Sequence, residues 1–412
     1  MARSAPQSGA APARLDLDLS EPAPIPEEGV VRAIETIRSG WLHRYGESLG
    51  DASEVSRLEE EFARSIGVRY AVAVNSCGSA MFLALKCSGV EPGTKVLMNA
   101  FTLAPVPGAI VHAGGEPVLV DIDADLTIDL GDLERKAAAS GARHLLLSHM
   151  RGHIVDMTRL MTLCERLGVT VIEDCAHTMG AGWAGHPTGT FGRVGCFSLQ
   201  AYKHVNAGEG GLLATNDEDV AARAILFSGS YMLYGQHRNR PSEEAFARWR
   251  NVTPNFSLRL GNVAAALARA QIATLPGRKR TWNLVYGRLA AALAEIDGLR
   301  LPRRPQAEDY VQSSIQFTVA GLGSEAFRSF LSGCAERGVV LKWFGAAQPH
   351  GYTSVPSHWG YLADPRTPPA TAEIVSRLCD MRIPLALSPE QCDRIVEIIA
   401  EELRRVRAMP AA

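Results

Sequence analysis

Between residues 70 and 175 the chain alternates short apolar runs with stretches of helical periodicity: YAVAVN, SAMFLALKCSG, KVLMN, PVLVDID, RHLLLSH, MTRLMTLCERLG and VTVIEDC. Aliphatic and β-branched runs of this length read as strands, and a helix of about ten residues between two of them is a crossover connection. Strands joined by crossovers run parallel, and the helices that join them cover both faces of the sheet. The expected fold class is therefore α/β, built on a mostly parallel sheet.

A chain of 412 residues is longer than one core usually serves. Ahead of the alternating region, Val55, Leu58, Phe62 and Ile66 recur at helical spacing with charges on the opposite face. Beyond it, ATLPGRKRTWNLVYGRLAAAL reads as a long helix. A strand candidate SSIQFTVAG and the helices SEAFRSFLSGCAERG and SPEQCDRIVEIIAEELRRV follow. The expected division is a disordered leader over residues 1–15, a large domain over 16–275 and a small α+β domain over 276–412.

Composition narrows the function. Lys and Arg total 42 against 44 Asp and Glu, a formal net charge of -2, and no basic stripe is present to drive nucleic-acid binding by counterion release. No apolar run is long enough to cross a bilayer, and the first residues lack the apolar core of a secretory signal. The expectation is a cytoplasmic protein that binds neither nucleic acid nor membrane. The eight cysteines show no C-x-x-C spacing and several lie in apolar runs, so buried free thiols are expected rather than disulfides or a metal site.

Three stretches carry candidate chemistry. VTVIEDCAHTMGA ends a strand on Glu173 and Asp174, at the strand end where ligands collect in open parallel sheets; these acids could equally cap the next turn. AVAVNSCGSAMFLAL leads a strand into a helix start at Gly78 and Ser79, which reads as a phosphate cradle or as an ordinary serine-capped turn. In FSLQAYKHVNAGEGG, Lys203 follows an apolar segment and precedes a glycine-rich turn. Packed there it would lose solvation and become a nucleophile, whereas in an exposed loop it would be a surface charge. Together the three fit one cofactor, pyridoxal 5′-phosphate, which needs a lysine, a carboxylate for its ring nitrogen and donors for its phosphate.

In the order SGWLHRYG, AVAVNSCGSA, VIEDCAHTMGA, GCFSLQAYKHVNAGEGGLLATND and RIPLALSPEQ, these stretches resemble the DegT/StrS-type aminotransferases, from about Gly40 to the C-terminus. The resemblance implies the aspartate-aminotransferase fold (fold type I), with a mostly parallel seven-stranded sheet, a small C-terminal domain and an active site shared across a homodimer. It implies that Lys203 holds pyridoxal 5′-phosphate as an aldimine and moves the substrate proton. Asp174 would partner the ring nitrogen and His177 would lie against the phenolic oxygen. Gly78, Ser79 and Ser198 would line the phosphate site. Arg259 would take the amino donor's carboxylate or form a salt bridge at a helix start. Trp41 and Tyr231 complete the candidate substrate contacts.

The chain also departs from the family pattern. Leu103 stands where an aromatic side chain usually stacks on the pyridine ring, with Phe101 two residues earlier. SHMRG replaces VHLYG, and Ser257 replaces the asparagine before the arginine segment. The segment over residues 229–257 is long and carries Tyr231, Tyr234, His237, Arg238 and Arg240, either a cluster for an anionic or polar substrate or a solvated loop. Position 203 is lysine rather than the histidine of the dehydrating relatives, so an aminating enzyme is expected. It would move nitrogen from glutamate or glutamine to a keto sugar or related polyhydroxylated ketone in a specialised biosynthetic pathway. The rival readings are pyridoxal-phosphate elimination, replacement or carbon–carbon bond formation, and a non-catalytic regulator.

Overall fold

The computed structural model describes residues 14–46, 53–349 and 355–409. Of the expected leader, residues 1–13 lie outside the described residues. Leu15 is buried, and its N–H donates to the Arg337 carbonyl at 2.8 Å.

The large sheet has seven strands: β1 (Tyr70–Val74), β2 (Lys95–Asn99), β3 (Glu116–Val120), β4 (His144–Ser148), β5 (Thr170–Asp174), β6 (Val194–Ser198) and β7 (Gly211–Thr215). Their order across the sheet is β1-β7-β6-β5-β4-β2-β3. β7 pairs antiparallel with both β1 and β6, and the other pairings are parallel. Strands β1 and β6 are buried along their whole length, as the apolar composition of a sheet covered on both faces requires.

Seven helices matter for the site: α1 (Glu27–Ser39), α2 (Glu54–Ile66), α3 (Cys77–Cys87), α4 (Glu218–Ser228), α5 (Asn262–Ala294), α6 (Ser324–Glu336) and α7 (Pro389–Arg407). The apolar stripe expected on α2 is buried at Val55, Leu58 and Phe62, and the Phe62 ring meets Phe197 of β6 edge-on at 4.9 Å. The Ser53 side chain caps α2 by accepting from Ser56 N–H, and Gly67 ends it in the left-handed region at φ 76. α5 runs for 33 residues straight through position 275, with Pro276 in its interior. It packs against α1, α2 and α7.

The second sheet has four strands, β8 (Leu299–Arg300), β9 (Ser314–Val319), β10 (Lys342–Trp343) and β11 (Leu378–Arg382), in the order β8-β9-β11-β10 and antiparallel throughout. α6 and α7 pack together beside it. All eight cysteines are free and buried, as their apolar surroundings suggested. No helix among the described residues is long and apolar enough to cross a membrane.

Candidate active site

The parallel strands β4 and β5 end side by side, with Ser148 opposite Asp174 in the register. Asp174 is buried, and both of its carboxylate oxygens are held. Oδ2 accepts from Ser148 Oγ at 2.7 Å and Oδ1 from the Ala176 N–H at 3.1 Å. Thr102 Oγ1 in turn donates to Ser148 Oγ at 2.9 Å. Asn99, at the end of the neighbouring strand β2, ties it to β4: it accepts from Ser148 N–H at 2.9 Å and donates to the Ser148 carbonyl at 3.1 Å. The carboxylate is therefore fixed in direction before any ligand arrives.

Glu173 serves a different end. Strand alternation turns it away from Asp174, and its buried carboxylate accepts from the N–H groups of Gly189, Phe191 and Gly192 at 2.8, 2.9 and 2.8 Å. His149 Nε2 lies 3.2 Å away. Glu173 thus fastens the loop that leads into β6.

α3 starts beside Asp174, where Cys77 Sγ approaches Asp174 Oδ1 at 4.0 Å. Ser76 caps the helix by accepting from Ser79 N–H at 3.0 Å, and its hydroxyl lies 2.9 Å from that of Ser79, which donates to Asn75 Oδ1 at 2.7 Å. The N–H groups of Cys77 and Gly78 point out of the first turn, where an anion is favoured. β7 begins against this turn at Gly211, where a Cβ would come within 2.3 Å of the Ser76 carbonyl oxygen. Ser198, the register partner of Gly211, is buried at the end of β6.

Lys203 follows in the turn after β6. Its amine lies 2.7 Å from His177 Nε2. Burial, reinforced by the nearby Arg151 charge, lowers the lysine from 10.5 to about 8. Burial, with Lys203 and Arg151 next to it, likewise holds the His177 imidazole well below its ordinary value, so the ring is neutral. The neighbour His204 points elsewhere: it is buried 5.3 Å from the Trp282 ring, and burial lowers it to about 3. The amine, the neutral imidazole, the fixed carboxylate and the helix start therefore meet at the carboxyl edge of the sheet, where an α/β sheet binds its ligand. Their donor and acceptor types match an aldehyde, a ring nitrogen and a phosphate, so the residues fit pyridoxal 5′-phosphate.

Leu103 is half-buried with the cluster of Phe101, Met150 and Phe344, and the Phe101 and Phe344 rings meet edge-on at 5.0 Å. The outer candidates lie apart from Lys203. Arg259 donates to the Gly229 carbonyl at 2.9 Å. Trp41 and Tyr231 are 52% and 76% exposed. None of the three lines the cavities that hold Lys203 and His177. The expected cluster over residues 229–257 separates. His237 is buried, 2.7 Å from the Tyr45 hydroxyl, Arg238 pairs with Glu60 at 3.0 Å, and Arg240 donates to the Gly235 carbonyl at 2.7 Å.

Three residues at the site escaped the sequence reading: Ser148, Thr102 and Arg382. Ser148 was visible only as the strand-end serine of SHMRG. Arg382 lines the cavities with His177 and Lys203, and its guanidinium stacks 4.2 Å over the Tyr202 ring.

Residues 25–400 match the model of the DegT/DnrJ/EryC1/StrS aminotransferase family. The spore coat polysaccharide biosynthesis protein SpsC of Bacillus subtilis (strain 168) is 31% identical over 68% of this chain and 69% of its own. The UDP-4-amino-4-deoxy-L-arabinose--oxoglutarate aminotransferase of Shewanella sediminis (strain HAW-EB3) is 30% identical over 69% of this chain and 72% of its own. Among solved structures, 3-amino-5-hydroxybenzoic acid synthase superposes with a TM-score of 0.78 at 25% identity, covering 94% of this chain and 99% of the other.

Proposed function

The chain belongs to the DegT/DnrJ/EryC1/StrS aminotransferase family and is a pyridoxal-phosphate transaminase, and on that footing we propose that it aminates a keto sugar or related polyhydroxylated ketone with nitrogen from glutamate or glutamine. The observation that carries the mechanism is the convergence of Lys203, His177, Asp174 and the α3 N-terminus on one edge of the sheet.

When bound, pyridoxal phosphate supplies the electron sink for the pair left behind as a proton leaves the substrate Cα. Asp174, held by Ser148 and the Ala176 N–H, presents a fixed negative charge to the ring nitrogen. The N–H groups at Cys77 and Gly78, with the Ser79 and Ser198 hydroxyls, would hold the phosphate. Lys203, with its value lowered to about 8, has a substantial neutral fraction near neutral pH and moves the proton from Cα. His177 stays neutral beside it and orients the amine without competing for its proton. Leu103 would supply the apolar contact for the ring face.

Arg259 is proposed for the amino donor's carboxylate, with Trp41 and Tyr231 as further substrate contacts. Their segments adjoin: Arg259 reaches the Gly229 carbonyl and Asn262 donates to the Trp41 carbonyl at 2.9 Å. Exposed Leu42, Val252 and Phe256 lie in the same segments, an apolar face suited to a second copy in a cytoplasmic homodimer whose protomers complete each other's site. The three relatives act, by their descriptions, in polysaccharide biosynthesis, on an amino sugar nucleotide, and in the synthesis of an aminobenzoic acid, which supports a ring-bearing ketone as acceptor.

The test is a half-reaction. Holoenzyme mixed with L-glutamate or L-glutamine alone is expected to yield pyridoxamine 5′-phosphate stoichiometrically, measured by chromatography. Its absence with every amino acid tried, together with release of ammonia or a coupled product, would instead favour elimination or replacement chemistry.

A further inference from the structure

We propose that Arg151 is a positioning residue for Lys203: Asp380 of the small sheet fixes its guanidinium beside the amine, and that cation keeps the amine ready to react. The proposal rests on the reading of Lys203 as the amine that takes the cofactor.

Arg151 is the arginine of SHMRG, which stands where the family pattern has tyrosine. It lies in the turn after β4 with φ 56 and ψ 21, a left-handed conformation that costs energy in any residue with a Cβ. The contacts that hold it there come from the small sheet. Asp380 of β11 pairs with Arg151 Nη2 at 2.6 Å and accepts from Gln316 Nε2 of β9 at 2.7 Å. Gln316 Oε1 in turn accepts from His153 Nε2 at 2.8 Å, so the network leaves the turn at residue 151 and returns to it at residue 153. Asp380, Gln316 and His153 are all buried, and a closed chain of buried hydrogen bonds leaves the guanidinium little freedom. Arg151 Nε is buried with no hydrogen-bond partner among the described residues, so the side chain is held in this place against a desolvation penalty.

Held there, Arg151 lines one recess with His177, whose Nε2 is 2.7 Å from the Lys203 amine. Asp174 and Cys77 face that amine from β5 and α3, and Arg151 and Arg382 face it from the turn after β4 and from β11. His177 and His204 adjoin it, and Glu21 borders its recess. Burial keeps both imidazoles neutral and Cys77 a thiol. Among the fixed charges next to the amine, Asp174 favours its protonated form and the two arginines oppose it. Arg151 acts more strongly than either Asp174 or Arg382. An amine must be neutral to attack a carbonyl carbon, so Arg151 is the charge that most favours the reactive form.

The probe is pyridoxal 5′-phosphate itself, added at saturating concentration to full-length protein stripped of cofactor. The neutral amine adds to the aldehyde carbon and water leaves. Borohydride quenching at timed intervals, followed by peptide mapping, gives the limiting rate at Lys203 from about pH 6 to 10. Ionisations of the probe are common to every variant, so differences in the pH of half-maximal rate belong to the protein. Wild type is expected to reach half-maximal rate at a pH of about 8. Arg151→Gln is expected to move that point up by about one pH unit, which makes capture about tenfold slower at neutral pH. Arg151→Lys, which keeps the cation, is expected to stay within about 0.3 pH unit of wild type. Because Arg151→Gln leaves buried Asp380 without its cation, the double variant Arg151→Gln with Asp380→Asn is measured beside it and is expected to show the same upward move. A half-maximal pH that stays at the wild-type value without the Arg151 cation, or that moves equally in Arg151→Lys, would overturn the proposal, since the residue would then act through packing alone. No label on Lys203 of the wild type would overturn the reading of Lys203 itself, and this proposal with it.

Discussion

The amine of Lys203 lies 2.7 Å from Nε2 of His177, and its charge adds to burial in holding that imidazole neutral. Burial is the main cause for both shifts; the Lys203 charge adds to it at His177, and the Arg151 charge adds to it at Lys203. A lysine lowered from 10.5 to about 8 binds its proton less tightly in the folded chain than in the unfolded one. Its cost to folding is fully present below pH 8 and disappears as pH rises from about 8 to 10.5. That cost is on the order of 3 kcal/mol. Lys203→Met in cofactor-free protein is therefore expected to melt several degrees above wild type at pH 7, with the gap closing above pH 10, although the same variant loses transamination. Differential scanning calorimetry across this range checks it; a variant less stable than wild type at pH 7 would refute it.

A second expectation concerns the relay Thr102 to Ser148 to Asp174. Asp174→Asn removes the negative charge and is expected to lower turnover on the order of 100-fold or more, as loss of a preorganised electrostatic partner does. Ser148→Ala removes one neutral hydrogen bond to a carboxylate that keeps its Ala176 partner, and is expected to cost only about three- to tenfold. The ratio of the two effects in steady-state kinetics is the readout. Equal losses would mean that Ser148 contributes more than orientation.

The difference between what the chain disclosed and what it concealed follows the range of each interaction. Lys203 and Asp174 were legible because each ends or follows a strand in its own stretch of sequence, and the parallel sheet was legible because its strands repeat with crossover helices. The antiparallel direction of β7 was not, since a short turn after β6 is compatible with several pairings. In the small sheet only β9 stood out, because β8 and β10 are two residues long and carry no periodicity. Ser148 meets Asp174 only through the order of strands, and Arg382 reaches Lys203 only through the docking of the small sheet, so no local pattern announced either. His237 looked like a surface ligand among charges and is instead buried against Tyr45.

The start of α3 offers a third test, on stability and cofactor retention together. Ser76→Ala deletes the cap that accepts Ser79 N–H and is expected to cost about 1 kcal/mol. Gly211→Ala drives a Cβ into the Ser76 carbonyl, a contact between two pieces of backbone that only a shift of the helix start can relieve. Equilibrium dialysis is expected to show weaker pyridoxal phosphate binding in both variants, much more so in Gly211→Ala. Full affinity in Gly211→Ala would separate this turn from the phosphate.

The buried pair Arg44 and Glu59 governs how the protein behaves in acid. Arg44 grips the Glu59 carboxylate with Nη1 and Nη2 at 2.7 and 2.9 Å, and the Ala73 N–H of β1 donates to the same group at 2.7 Å. Burial alone would raise this carboxyl, but Arg44 and then His237 outweigh it and hold Glu59 at about 2 against an ordinary 4.5. A depressed carboxyl stabilises the fold fully above its unfolded value and loses that contribution as pH falls from about 4.5 toward 2. The amount at stake is on the order of 3 kcal/mol. Arg44→Met leaves the acid buried without its main partner and is expected to destabilise the protein at pH 7 by about 3–5 kcal/mol. In the double variant Arg44→Met with Glu59→Gln, no charge is stranded, so much of that loss is expected to return and the acid-induced decline between pH 4.5 and 2 to flatten. Urea titrations of the three proteins at pH 7 and pH 3.5 measure both effects. A double variant no more stable than Arg44→Met would show that the pair acts through packing rather than charge.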